Sequence, residues 1–174
     1  MILITDADYG ISKDNIIPWH FPEDLKFFNK TTVNNVCIMG SNTAKDLGKP
    51  LKNRINIVIS SNDDCKDLGK SLPDYNGNNF IIVQNFEEAI REASEYVFKN
   101  NKEIFVIGGS RLYNEILESQ FLDKIYYTHI NKSFGCDNFV NPILNREDFT
   151  YDIINKIQYE IENIELTFYK ISKN

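Results

Sequence analysis

The stretch PWHFPEDL, residues 18–25, predicts the start of the first helix. Proline presets the backbone of an opening helical turn and lacks an amide that would have no partner there, so we expect Pro22 at the first helical position. Asp24 then falls in the first turn. Asp24, Phe28 and Thr31 share one helix face at spacings of four and three residues, with Leu25 beside them. The pattern places a lone carboxylate over an apolar wall.

Two interpretations of Asp24 follow from this position. In the first, the carboxylate lies in solvent and only complements the positive end of the helix dipole. In the second, it lies in an apolar pocket, where desolvation raises its pKa and the group can anchor a ligand or help to protonate it. Helix-start preferences alone favour the first interpretation.

Composition limits the class of protein. A chain of 174 residues suits a single domain, residues 1–174, that buries about 70% of its unfolded surface. The net charge is −6 and the basic residues are scattered, which argues against a nucleic-acid partner. Cys37, Cys65 and Cys136 are odd in number and lack the spacing of a metal site or a disulfide framework, so we expect structural thiols in a reducing compartment.

The sequence also bears on location. The chain opens on Met1-Ile2-Leu3-Ile4 and shows no basic leader. No apolar run approaches the ~18 residues of a membrane span. These features predict a cytoplasmic protein with no membrane partner, and we expect a monomer.

Short apolar runs and amphipathic spacing predict alternating strands and helices. Strands are expected at residues 1–7, 36–39, 55–59, 80–83, 104–107, 124–130, 153–161 and 165–171. Helices are expected from Pro22, from a cap at Asn42-Thr43, over 86–99, and after Gly109. Residues 8–21 and 62–79 are predicted as loops. Alternation up to residue 120, followed mostly by strands, predicts an α/β fold with a largely parallel mixed sheet and an antiparallel C-terminal edge.

Gly108 and Gly109 stand between an apolar run and a predicted helix. Glycines at this point allow close backbone approach, and the free amides of the helix form a phosphate site. A tight turn without a ligand is the alternative, because the pattern is shorter than a full dinucleotide fingerprint. Residues 40–43 and Ser60-Ser61 also directly follow predicted strands, and three such turns at one sheet edge favour a bound dinucleotide.

Short motifs recur in order along nearly the whole chain. They are Pro18-Trp19 with Pro22-Glu23-Asp24-Leu25, Ile38-Met39-Gly40 with Thr43, Leu51 with Arg54, Ser60-Ser61, Val106-Ile107-Gly108-Gly109 with Leu112-Tyr113, Thr128, and Cys136-Asp137. Together these motifs resemble those of dihydrofolate reductase. The resemblance implies a single domain with an eight-stranded mixed sheet flanked by helices, which binds NADPH and converts dihydrofolate to tetrahydrofolate.

For the substrate, the resemblance implies three catalytic residues. Asp24 would hold the amino group and a ring nitrogen of the pteridine, Thr128 would support Asp24 through a hydrogen bond, and Trp19 would sit on the associated water network. Arg54 would pair with the glutamate carboxylate of folate, a bidentate contact suited to guanidinium. A solvated surface arginine is the alternative for Arg54. The residues implied to line the substrate cleft are Ile2, Phe28, Leu51 and Ile107.

For the cofactor, the resemblance implies that residues 10–19 form a mobile loop that closes over the reacting rings. The pyrophosphate would meet Thr43 and the amides of Gly109, Ser110 and Arg111. The cofactor carries the hydride, and the protein supplies orientation, water exclusion and the carboxylate that favours protonation. The nicotinamide would lie near Ile4, Ile11 and Ile16, and the remaining residues implied in cofactor binding are Asn42, Ser60, Ser61, Gly108, Leu112 and Tyr113.

Three positions depart from the family pattern. Ser41 stands where a basic residue usually meets the adenosine phosphate, Ile4 where alanine is usual, and Ser12 in place of a loop glycine. The acid-handling residue is retained, so we expect an active enzyme. A riboflavin-pathway reductase shares the general fold and cofactor but does not explain Asp24 after Pro18-Trp19. A noncatalytic protein that keeps the reductase fold is the alternative from another class.

Overall fold

The computed structural model describes residues 1–60 and 79–174, which form two compact units. The first unit comprises Met1–Lys26 and Tyr113–Asn174, and the second comprises Phe27–Leu112. The single domain expected from chain length stays a prediction. The helices found in these described ranges are α1 (Pro22–Thr32), α2 (Ser41–Leu47), α3 (Phe86–Asn100) and α4 (Ser110–Leu117).

The first unit is built on a mixed sheet of four strands. Its strands lie in the order β1 (Ile2–Thr5), β7 (Lys124–Ile130), β10 (Ile164–Lys173) and β9 (Phe149–Tyr159). β1 runs parallel to β7, whereas β10 runs antiparallel to both β7 and β9. A small antiparallel sheet pairs β2 (Gly10–Ser12) with β8 (Asn138–Phe139). Fully buried side chains in this unit include Tyr127, Ile130, Leu166 and Phe168.

The second unit is built on a four-stranded parallel sheet. Its order is β5 (Phe80–Val83), β4 (Ile55–Ile59), β3 (Val36–Gly40) and β6 (Ile104–Val106). Parallel strands are covered on both faces, so they are expected to be apolar without interruption. β3 fits this rule, since the four residues from Val36 to Met39 are all buried. The core consists of Cys37, Met39, Ala44, Val58 and Phe80, with Leu51, Ile82 and Ile107 packed against it.

Most predicted elements are confirmed, with boundary shifts of a few residues. The largest shift is in β9, which begins at Phe149 rather than at residue 153. Most residues of β9 are exposed, so the strand lacks the apolar pattern that marks a buried one. The mixed α/β sheet architecture with its antiparallel C-terminal strands is confirmed. The predicted loop at 62–79 lies, apart from Asn79, outside the described residues.

Three predictions about the fold need correction. The loop predicted at residues 8–21 contains β2, which pairs with β8, a strand that was not predicted. The expected cap of α2 at Asn42-Thr43 is wrong, because the N-cap is Gly40, which makes no side-chain cap hydrogen bond. The count of eight strands in one sheet is not confirmed, since the strands of the described residues fall into sheets of four, two and four.

Two of the three cysteines lie among the residues that the structure describes. Cys37 and Cys136 are free thiols, and Cys37 is fully buried in the core of the second unit, as expected of a structural thiol. Cys65 lies outside the described residues. Within residues 1–60 and 79–174, no helix is long and apolar enough to cross a membrane.

Candidate active site

Asp24 lies in the first turn of α1, which begins at Pro22 as predicted. The side chain is half-buried. Burial raises the pKa of its carboxyl, and a hydrogen bond from Thr128 opposes that rise. Thr128 is itself buried in the middle of β7. The interpretation of Asp24 as a carboxylate in open solvent is therefore wrong. Leu25, expected beside it, is 48% exposed, because consecutive helical residues point about 100° apart.

Aromatic contacts hold the entry to α1. The Trp19 ring packs edge-on against the Phe134 ring, with centroids 5.2 Å apart. The Phe21 and Tyr159 rings also lie 5.2 Å apart, and the Tyr159 hydroxyl donates a hydrogen bond to the Glu23 carboxylate. This bond lowers the pKa of Glu23, while burial and then the same bond raise the pKa of Tyr159 to about 12. At neutral pH a neutral donor therefore meets an anion, which is a charge-assisted pair that restrains the first turn of the helix.

The strand residues assigned to the ligands lie in the sheet of the first unit. Ile4 of β1 pairs with Thr128 of β7 in the parallel register. Ile2 is buried, and its carbonyl accepts a hydrogen bond from the Tyr113 hydroxyl at 3.0 Å. The sheet therefore brings Ile4 beside the threonine that supports Asp24.

The segment 10–19 is tied down near its start. The Asp14 amide donates to the Asp137 carboxylate at 2.8 Å, and the Asp137 amide donates to the Ser12 carbonyl at 3.1 Å. Ile11 is half-buried in β2, whereas Ile16 is 69% exposed. Of the two, only Ile11 is shielded from solvent within the described residues.

Arg54 is a buried guanidinium in the second unit, with 7% of its surface exposed. Its Nε donates to Thr32 Oγ1 at 2.9 Å, and Nη1 donates to the Lys52 carbonyl at 2.8 Å. Nη2 donates to both oxygens of Asn29, at 3.1 Å to the carbonyl and 2.8 Å to Oδ1. The guanidinium carbon lies 5.9 Å from the centroid of the Phe28 ring. The interpretation of Arg54 as a solvated surface arginine is wrong.

The turn at Gly108 and Gly109 forms a cradle that fits a phosphate. Gly108 adopts φ 131°, which favours glycine, and the peptide that joins it to Gly109 is cis. The Gly40 amide donates to the Gly108 carbonyl at 2.8 Å. A Cβ on Gly109 would lie 3.6 Å from Thr43 Oγ1, so a side chain there would fill the space before this hydroxyl. With the first amides of α4 at Ser110, the donors suit the pyrophosphate of a dinucleotide.

The other predicted cofactor residues have varied surroundings. Ser41 is the first residue of α2 and is half-buried. Ser60 is buried, and its amide donates to the Val83 carbonyl at 2.9 Å. Ser61 lies outside the described residues. Among the remaining members, the exposed ones are Asn42 and Arg111, and the buried ones are Leu112 and Tyr113.

Comparison with known proteins identifies the family. Residues 1–173 match the model of the dihydrofolate reductase family. The chain belongs to that family. A dihydrofolate reductase of Bacillus subtilis strain 168 is 32% identical over 166 residues, which are 91% of this chain and 89% of the relative. A dihydrofolate reductase of Haemophilus influenzae is 34% identical over 149 residues, which are 86% of this chain and 81% of the relative.

A solved structure agrees with this identification. The dihydrofolate reductase from Enterococcus faecalis, complexed with NADP(H) and RAB-propyl, has a TM-score of 0.77 and 28% identity, and the match covers 99% of this chain and 94% of that one. As a dihydrofolate reductase, this chain is an NADPH-dependent oxidoreductase, so the predicted fold class, activity and cofactor are confirmed. The riboflavin-pathway alternative is set aside by the family match.

Sequence reasoning missed the hydrogen-bonding partners of two charged side chains, Arg54 and Glu23. Asn29, Thr32 and Lys52 bind Arg54, but the first two are 25 and 22 residues away along the chain. Tyr159 reaches Glu23 across 136 residues. For Asn29 a weak signal existed, because Asn29 and Thr32 are three residues apart and therefore share a face of α1.

Proposed function

We propose that this dihydrofolate reductase holds and helps to protonate the pteridine of 7,8-dihydrofolate with Asp24. The supporting observation is a half-buried carboxyl whose pKa is raised by burial and whose hydrogen bond comes from the buried hydroxyl of Thr128. A carboxyl in such a place can bind the amino group and ring nitrogen of a pteridine, and its negative form favours a proton on the ring. Thr128 keeps the carboxyl in position because its buried hydroxyl donates a hydrogen bond to it.

NADPH, when bound, supplies the hydride for the substrate carbon beside that protonated nitrogen. The hydride and the proton together saturate the carbon–nitrogen double bond, which gives 5,6,7,8-tetrahydrofolate, a carrier used in one-carbon metabolism. The residues of this chain bind the substrate and the cofactor, orient them, and exclude water from the reacting rings. In the proposal Trp19 holds the water network near Asp24, and Ile4, Ile11 and Ile16 contact the nicotinamide.

The tail of the substrate is proposed to bind Arg54. Its guanidinium is buried, and none of its described partners is an acidic side chain. A buried charge without a counter-charge is costly, so an anionic ligand is the natural complement. The planar fork of arginine matches a carboxylate with two parallel hydrogen bonds. Ile2, Phe28, Leu51 and Ile107 are proposed to line the remainder of the substrate cleft.

The cofactor phosphates are proposed to bind the cradle of Gly108 and Gly109. Support comes from the space before Thr43 and from the free amides at the start of α4, Ser110 and Arg111. Such amides bind anions, assisted by the helix dipole. The further residues proposed to contact the cofactor are Asn42, Ser60, Ser61, Leu112 and Tyr113.

One assay tests the proposal as a whole. NADPH oxidation is followed by absorbance with purified protein, with dihydrofolate present or omitted, and with Asp24→Asn as the variant. We expect oxidation only when dihydrofolate is present, and a large loss in the variant. Oxidation that is independent of dihydrofolate, full activity of the variant, or no oxidation at all would contradict the assignment. A monomeric state, the absence of nucleic-acid partners and a cytoplasmic location stay predictions.

A further inference from the structure

The hydrogen bonds of Arg54 leave it almost fully occupied before any ligand arrives. A guanidinium has five N–H donors. Nε, Nη1 and Nη2 use four of them on Thr32, Lys52 and the two oxygens of Asn29. Nη2 has no donor left, since both of its hydrogens point at Asn29. A bidentate grip on a carboxylate through the two terminal nitrogens therefore requires one of the existing bonds to break.

The four partners differ in how easily they can leave. Thr32 is buried, and its hydroxyl donates to the Phe28 carbonyl at 2.8 Å within α1, so its position is fixed. The Lys52 and Asn29 carbonyls belong to the backbone. The Asn29 side chain is the exception, because it is attached to an exposed residue of α1 and can rotate into solvent. Its Oδ1 is thus the partner of Arg54 that a ligand can displace.

Resting on the proposed role of Arg54, we propose that Asn29 is a specificity-determining residue for the substrate tail. Its Oδ1 occupies the position of one carboxylate oxygen on Nη2, 2.8 Å away, and the tail binds by replacing it. The contact is neutral on the asparagine side, so it holds the guanidinium in place without neutralising its charge. A carboxylate brings a charge-assisted bond that is roughly twice as strong and displaces the amide.

This exchange sets the affinity for ligands that carry a carboxylate. The tail gains a charge-assisted bond to Arg54, but the hydrogen bond between Arg54 and the Asn29 side chain in the free protein is lost. The net binding free energy is therefore smaller than that of the new bond alone. A side chain that vacates the position should strengthen tail binding. A side chain that carries its own carboxylate should weaken it.

Two substitutions at the same position test the exchange in opposite directions. Dissociation constants are measured for dihydrofolate and for 6-methyl-7,8-dihydropterin, which has no tail. Asn29→Ala is expected to tighten dihydrofolate by about 3- to 10-fold, the scale of one displaced hydrogen bond, and to leave the dihydropterin unchanged. Asn29→Asp places a carboxylate on Arg54 and is expected to weaken dihydrofolate by about fivefold or more, again without effect on the dihydropterin.

Two controls separate this proposal from its foundation. Asn100→Ala makes the same change at an exposed residue of α3 and should alter neither affinity. Arg54→Leu should weaken dihydrofolate alone. If Arg54→Leu does so while Asn29→Ala and Asn29→Asp have no effect on dihydrofolate, the displacement by Asn29 is wrong and the role of Arg54 stands. If Arg54→Leu weakens both ligands equally or neither, the tail binds elsewhere and both proposals fail. Because Asn29→Asp keeps the size of the side chain, it remains informative if the alanine variant folds poorly.

Discussion

Asp24 and Arg54 are shielded charged side chains, one in each compact unit, and the structure treats them in opposite ways. Asp24 has the Thr128 hydroxyl as its hydrogen-bonding side chain, and burial raises its pKa. Arg54 makes four hydrogen bonds to three residues and lies over an aromatic ring. The Asp24 carboxylate therefore gains little electrostatic stabilisation from its neighbours, whereas oxygen acceptors surround the Arg54 guanidinium.

The difference fits the roles proposed for the two groups. A group that handles a proton is most useful when its two charge states are close in free energy, and partial burial with one neutral donor brings them closer. A group that recognises an anion must keep its charge and its orientation, and multiple neutral acceptors preserve both. The same helix, α1, contributes Asp24 at one end and Asn29 and Thr32 toward the other.

The largest expected effect is a loss of reaction rate when Asp24 is replaced. Asp24→Asn preserves the size of the side chain but removes the negative charge that favours a protonated pteridine. The rate at pH 7 should fall by about 10²- to 10⁴-fold, the range of general acid–base catalysis, and the loss should shrink at low pH because more substrate is protonated in solution. The measurement is the pH–rate profile of variant and parent. An equal loss at every pH would show that Asp24 acts only in binding or folding.

The second prediction concerns Arg54→Leu, which removes the guanidinium. The variant should bind dihydrofolate more weakly by about 2–3 kcal/mol, the scale of a charge-assisted contact, because the tail loses its partner. A tail-less pteridine should bind almost as before. Titration of both ligands decides the matter, and equal weakening would make Arg54 a structural support of the pocket.

A third prediction concerns the proposed cofactor-phosphate site at α2 and the start of α4. In the proposal Ser41 offers one neutral hydrogen bond to the adenosine phosphate, so NADPH should be preferred over NADH only modestly, with Arg111 as a further donor. Ser41→Arg should make this site resemble that of Arg54. NADPH is expected to tighten by roughly tenfold, about 1.4 kcal/mol, with NADH nearly unchanged.

Dissociation constants for both cofactors at one fixed ionic strength provide the readout, because phosphate contacts are sensitive to salt. Equal tightening of the two cofactors, or no change in either, would mean that residue 41 does not face the phosphate.

The smallest expected effect is on thermal stability, and it has opposite signs for the substitutions of Asp24 and Arg54. The pKa of Asp24 is higher in the folded state than its usual value of 3.8, so the folded protein loses stability as the pH rises from about 3.8 through the folded pKa. Asp24→Asn escapes this loss. Its melting temperature should exceed that of the parent by a larger margin at pH 7.5 than at pH 4.5. Arg54→Leu should lower the melting temperature at both pH values, since it leaves Thr32 and Asn29 without their donor. A lower melting temperature for Asp24→Asn at pH 7.5 would contradict this.

The sequence was a good guide wherever a structure depends on neighbours in the chain. Pro22 begins α1 as its fixed φ predicts, and the apolar residues Leu112, Tyr113, Ile116 and Leu117 form the buried side of α4. The cap of α2 shows the limit of local preference. Ser41, Asn42 and Thr43 are all good caps, but β3 runs straight to Gly40, so the helix begins one residue before the predicted cap.

Features that depend on distant residues were the ones missed. β2 and β8 have only three and two residues, and each exists because the other is present more than a hundred residues away. The environment of Asp24 could be stated only as two alternatives, because the burial of a helical carboxylate is decided by what packs on it. The resemblance to the family pointed to Arg54, but for Asn29 as its partner the sequence offered only the weak signal of a three-residue spacing from Thr32 on α1. Chemistry at such positions is set by tertiary contacts.

The place of Thr128 in the sheet has a consequence for protein engineering. β7 is paired on both sides, so that Thr128 has Ile4 as its neighbour in β1 and Phe168 in β10. A redesign that shifts this hydroxyl would have to change the register of two strand pairs, and a shift of one residue would turn every side chain of the strand to the opposite face. The first turn of the helix that carries Asp24 is held by side-chain contacts, such as that between Tyr159 and Glu23, which substitutions can alter without a change of strand register. Directed evolution of the pair proposed to handle the proton therefore has one fixed member and one adjustable member, and variant libraries are best concentrated on the first turn of α1.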